Sequence, residues 1–168
     1  SFDVPSEWAG RRVTIDFDAV RFRAEIFVNH QLAGYDVVNS TPFSFDISKF
    51  LKYGAGNLVS VRITDPNGNF NWKDSQVYNW GDYDTNPSHG FGGITGKVRL
   101  TATDQTYVSD IYVQNQPDPR SIKVKTSIFA SEPGARNVTV SIKDKAGKEV
   151  LSKSYSARLA AGENNLEY

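Results

Sequence analysis

The stretch AEIFVNHQLAG, residues 24–34, decides how the chain reads. Apolar residues fall at alternate positions from Ala24 to Val28, and a second apolar run follows from Leu32. A period of two places one set of side chains on one face of a pleated strand. Between the runs stand Asn29 and His30. A two-residue hairpin turn needs positive φ at its central positions, which asparagine tolerates. The stretch therefore predicts two antiparallel strands joined by a tight turn.

Working outward, the same alternation recurs in RRVTIDF (11–17), NLVSVRI (57–63) and GKVRLTA (96–102), each expected as a half-buried antiparallel strand. DISKFLKYGAGN (46–57) is the one segment with helical character, a single turn with Asp46 or Ser48 as N-cap and Gly54 as its stop. Beyond Thr103 a second series begins: TYVSDIYVQ (106–114), SIKVKTSIFA (121–130), NVTVSIKD (137–144) and EVLSKSYSA (149–157). Its connectors NQPDPR, SEPGAR and DKAGKE carry proline and glycine that set turns. The expectation is an all-β chain of two β-sandwiches, residues 1–103 and 104–168. The second is shorter than the roughly 100 residues of a complete immunoglobulin-like domain, so it reads as truncated. The opening SFDVPSEWAG reads as mid-protein sequence and the closing GENNLEY as a strand just beginning. Both lead us to expect a piece of a longer chain.

Composition narrows the function classes. Lys plus Arg equals Asp plus Glu, 19 of each, so no electrostatic footprint favours nucleic acid or an anionic membrane as partner. The chain has no cysteine, which excludes disulfides, thiolate metal ligands and a cysteine nucleophile. No apolar run approaches the roughly 18 residues that span a bilayer as a helix.

VPSEWAGRRVTIDFDAV, then AEIFVNHQLAGYDVVNSTPFSFDISKFLKYGAGNLVSVRIT, then GGITGKVRL follow one another in an order that resembles the N-terminal sugar-binding domain of glycoside hydrolase family 2. That family includes β-galactosidases, β-glucuronidases and β-mannosidases. His30 stands where the family usually has a turn glycine. The resemblance implies a jelly-roll-like, galactose-binding-domain-like sandwich over 1–103, and over 104–168 the start of an immunoglobulin-like sandwich. It also implies that chemistry resides on a separate catalytic barrel carrying an acid/base glutamate after an asparagine and a second, nucleophilic glutamate. No Asn-Glu dipeptide occurs here. Retaining hydrolysis needs two carboxyl groups about 5–5.5 Å apart, which scattered Glu7, Glu25, Glu132, Glu149, Glu163 and Glu167 give no reason to expect. The chain is expected to be catalytically inert, within a parent that hydrolyses O-glycosidic bonds.

Residues 65–93, DPNGNFNWKDSQVYNWGDYDTNPSHGFGG, break the alternation. In the family the corresponding loop reaches toward the active-site mouth, and long ordered loops in compact domains are usually functional. Trp72, Trp80 and Phe91 supply flat apolar faces, and Asp74, Asp82 and His89 supply hydrogen-bonding groups, a set that suits a pyranose. These six are the candidate substrate-binding residues. The competing reading has the aromatics pinning the loop to the sandwich or burying against the barrel. Asp65, Asn67 and Asn69 open like an EF-hand loop, but Phe70 and Gln76 occupy its glycine and glutamate positions. Asp74, Asp82 and Asp84 read as solvated turn carboxylates, so neither metal nor cofactor is expected. The expected partners are a carbohydrate, as a β-glycoside or oligosaccharide, and the parent's barrel. The rival reading is an autonomous carbohydrate-binding or adhesion module attached to no enzyme. A periplasmic or secreted bacterial enzyme is the expected setting.

Overall fold

The computed structural model describes residues 1–38, 40–64 and 92–168. All of its regular structure is strand apart from two short 3₁₀ turns. By its internal packing the chain divides into two compact units, Ser1–Ala102 and Thr103–Tyr168.

The first unit contains β1 (Phe2–Asp3), β2 (Arg12–Phe17), β3 (Val20–Arg21), β4 (Arg23–Val28), β5 (Gln31–Asp36), β6 (Phe43–Asp46), β7 (Gly56–Asn57), β8 (Val59–Thr64), β9 (Gly93–Ile94) and β10 (Val98–Thr103). Two three-stranded sheets, ordered β10-β2-β6 and β5-β4-β8, are accompanied by the small pairs β1-β7 and β3-β9. Alternation explains the core. Val13, Ile15 and Phe17 of β2 and Ala24, Ile26 and Val28 of β4 are buried and cluster with Val20 and Ile47. Phe17 stacks on Phe43 with ring centroids 4.9 Å apart. Residues from both sheets thus share one apolar interior, the arrangement that removes the most apolar surface from water.

The hairpin read from residues 24–34 is present. β4 pairs antiparallel with β5, Val28 opposite Gln31, and Asn29 and His30 turn between them at φ 48° and 68°. The glycine that the turn lacks is replaced by His30, and Asn29 beside it also works through its side chain, as described below. Gly34 of β5 lies against the Phe45 ring so closely that a Cβ has no room. The expected single helical turn is present. It is one 3₁₀ turn, Ser48–Phe50, with Ile47 rather than Asp46 or Ser48 at the N-cap position. Asp46 still serves this turn from outside, its Oδ1 accepting the Ser48 amide at 3.0 Å. Sequence reading also missed a second 3₁₀ turn, Ser6–Trp8.

The second unit contains β11 (Tyr107–Asn115), β12 (Ile122–Ala130), β13 (Gly134–Lys143), β14 (Glu149–Leu159) and β15 (Gly162–Glu167). They form one sheet ordered β11-β12-β15 and a separate pair β13-β14. Asp144 explains the β13-β14 turn: its Oδ1 accepts the Ala146 and Lys148 amides at 2.9 Å each, and Gly147 supplies the positive φ of 81°. Buried Ile128, Ala130 and Leu159 form a small core, with Val138, Ala157 and Leu166 packed against it.

Candidate functional site

Residues 65–91 lie outside the described residues, and with them Trp72, Asp74, Trp80, Asp82, His89 and Phe91. What the structure describes is the pair of stems from which that segment departs. β8 ends with Thr64 opposite Arg23. β9 begins with Gly93 opposite Arg21. Both stems are therefore registered against one short stretch, Val20–Arg23, although they are far apart in sequence.

Three features hold that stretch in place. Val20 is fully buried, and its carbonyl accepts the Ser40 amide at 3.0 Å. The Ala19 carbonyl accepts the amides of Thr95 and Gly96 at 3.1 and 3.2 Å. A Cβ on Gly96 would lie 2.6 Å from the Asp18 Cβ and 2.8 Å from the Ala19 nitrogen. Only glycine lets the returning strand come this close. Asp18 adds a side-chain clasp, binding Arg99 through both oxygens at 2.5 and 3.0 Å. The Arg99 guanidinium holds the Asp18 carboxyl below its ordinary range, and the Lys97 amide assists. The second stem is thus fixed by backbone, by a glycine and by an ion pair.

The first stem carries a charged cluster. Glu25 of β4 accepts Arg23 Nη2 at 3.0 Å and pairs through its other oxygen with Arg62 of β8. The Glu25 side chain is 13% exposed, against 67% for Arg62, so the carboxylate is enclosed between its two cations. The Arg21 guanidinium stands 5.2 Å from the centre of the Phe22 ring. Sequence reasoning overlooked this group. Its signal was present in VRFRAE (20–25), a run of alternating arginines ahead of an apolar strand.

Two further carboxylates, Asp16 and Glu167, are also engaged structurally. Asp16 accepts the hydroxyls of Ser44 and Thr101. Burial pushes its carboxyl up, but the hydrogen bonds from Ser44, Thr101 and Thr14, with the charge of Arg12, outweigh it and leave Asp16 below its ordinary range. Glu167 pairs with Lys123 and Lys125 at 3.1 and 3.4 Å. Among the described residues no three of His, Asp and Glu gather as metal ligands.

Residues 1–112 match the model of the family described as glycosyl hydrolases family 2, sugar binding domain. The chain belongs to this family. A β-glucuronidase of Formosa agariphila is 24% identical over 96% of this family 2 chain and 18% of its own length. A β-galactosidase of Thermoanaerobacter pseudethanolicus is 27% identical over 87% of the chain and 19% of its own length. Among solved structures, a family 2 member from Bacteroides cellulosilyticus superposes with a TM-score of 0.79 at 21% identity, covering 99% of this chain and 22% of that one. A β-glucuronidase of family 2 gives 0.77 at 23% identity, with 99% and 19% covered. The chain spans about a fifth of the length of the family 2 relatives it matches. The sugar-binding domain of the family, jelly-roll-like and all-β, is therefore the identity of the matched residues, and it suggests carbohydrate binding.

Proposed function

We propose that this chain is the non-catalytic, sugar-contacting sandwich of a family 2 glycosidase whose parent hydrolyses O-glycosidic bonds in carbohydrate metabolism. The observation that carries the reading is the seating of both stems of residues 65–91 on Val20–Arg23. Stems that start and end on one short stretch give the segment between them a single anchorage, which suits a substrate-contacting loop. Trp72, Trp80 and Phe91 are the stacking faces of that site, and Asp74, Asp82 and His89 are its hydrogen-bonding groups. Residues 104–168 are the immunoglobulin-like sandwich that orients the parent's barrel, and residues 1–103 form one wall of the substrate pocket.

The engagement of four described carboxylates is in keeping with an inert chain. Glu25, Asp16, Asp18 and Glu167 are each committed to cations or hydroxyls, whereas a glycosidic acid must hold a proton for the leaving oxygen. Incubation of the 168-residue chain with nitrophenyl β-galactoside, β-glucuronide and β-mannoside is expected to release no nitrophenol above buffer. Turnover that follows the purified chain through gel filtration would overturn the assignment.

A further inference from the structure

Strand β4 runs from Arg23, opposite Thr64 at the stem of residues 65–91, to Val28 at the β4-β5 hairpin. Its six residues separate those two ends by about 17 Å. At the hairpin end lies a cavity of about 410 Å³, lined by Asn29, His30 and Gln31 of the turn and by Phe50, Lys52 and Leu58. That volume falls in the range of small-molecule sites.

Two amide side chains fix its walls. Asn29 Nδ2 donates to the Phe50 carbonyl at 2.8 Å, and its Oδ1 accepts the Leu58 amide at 3.0 Å. Asn57, 2% exposed, accepts the Lys52 amide at 2.8 Å and Asn29 Nδ2 at the same distance. The backbone behind three lining residues is thus set before any ligand arrives, as a binding site requires. The side chains in front of it are uncommitted. Among the described residues, the His30 ring, the Gln31 amide and the Lys52 ammonium have no hydrogen-bond or ion-pair partner, and no carboxylate lines the cavity. Asp3 pairs with Gly56 through the backbone register of β1 and β7 without lining it. Lys49, over the Phe50 ring at 4.9 Å, adds a second ammonium nearby.

His30 carries the argument furthest. It holds φ at 68°, a conformation that costs an L-residue more than glycine. Its ring repays none of that cost within the fold, and a backbone outlier that the fold does not use points to a ligand.

We propose that this cavity binds a sugar acid, a monosaccharide ring bearing one carboxylate. The carboxylate meets Lys52, the ring hydroxyls meet His30 and Gln31, and the C–H face rests on Phe50 and Leu58. One cation, a polar rim and a small apolar floor select a singly charged, hydroxylated ring over a neutral or purely apolar one. The proposal holds whether or not residues 65–91 contact sugar, since the two places lie at opposite ends of β4.

The test follows backbone amide shifts by NMR as glucuronate or galacturonate is added to the 168-residue chain. Ser1 also lines the cavity, so the chain carries an N-terminal acetyl group, which removes that charge. At least one acid should shift Gln31, Lys52 and Leu58 saturably at millimolar concentration. Its methyl ester, uncharged but of the same ring, should bind about fivefold more weakly or worse, as should the acid to Lys52→Gln. His30→Gly should weaken binding while melting within a few degrees of the unsubstituted chain, because glycine suits the positive φ. No shift with either acid, equal binding of acid and ester, or full affinity in both variants would overturn the proposal. Shifts confined to residues 65–91 would overturn it too, because the acid would then sit on the loop.

Discussion

Replacing Asn57 with alanine should destabilise the first unit by about 2–4 kcal/mol, more than most single hydrogen-bonding residues contribute. Asn57 is 2% exposed. Its Oδ1 accepts the Lys52 amide and Asn29 Nδ2, both at 2.8 Å, and its Nδ2 donates to the carbonyls of Lys52 and Ala55, both at 2.9 Å. Alanine would leave those partners inside the protein without a replacement. The cost of stranding a buried polar group exceeds the net gain from making its hydrogen bond. Asn29 shares the network, donating also to the Phe50 carbonyl at 2.8 Å and accepting the Leu58 amide at 3.0 Å. Glycine at 29 keeps the positive φ of the turn while deleting the side chain. Urea denaturation of Asn57→Ala, Asn29→Gly and the double variant should therefore show a combined loss smaller than the sum of the two. Additive losses would mean that the two amides act separately.

A comparable loss, about 3–5 kcal/mol, is expected for Phe17→Ala. Phe17 is 1% exposed and lies in the cluster that receives Ile15, Ile26 and Val28. Its ring stacks on Phe43 at an interplanar angle of 17°, and Phe43 in turn packs against Phe45 at 5.5 Å. Deleting the ring removes its transfer free energy and leaves a void between sheets that backbone pairing holds apart. Thermal unfolding followed by circular dichroism checks this. A variant melting within a few degrees of the parent would show that the two sheets do not depend on this ring.

The parts of the fold legible in the sequence are those set by neighbours along the chain. Ala24 to Leu32 announced its hairpin because period and turn chemistry are local. The stems were not legible in the same way, since Arg21 meets Gly93 and Arg23 meets Thr64 only after the sheets have assembled. Asn57 was read only as the start of a strand, and nothing beside it revealed its partners in the Lys52–Ala55 loop and at Asn29. In β11 the alternation of apolar residues was read correctly as a strand. Val108, Ile111 and Val113 nevertheless remain exposed, because burial depends on what lies above a sheet and not on its own sequence. The site itself was read from composition, and its six residues lie in the segment outside the described residues.

The claim that this family 2 chain contacts sugar through residues 65–91 is tested most directly by tryptophan-fluorescence titration of the 168-residue protein with galactose-, mannose- and glucuronate-containing mono- and oligosaccharides. The account predicts a saturable change with at least one of them at millimolar affinity or tighter, about 4 kcal/mol or more of binding free energy, and lost in Trp72→Ala or Trp80→Ala. Silence toward every sugar, or a response that survives both substitutions, would contradict it.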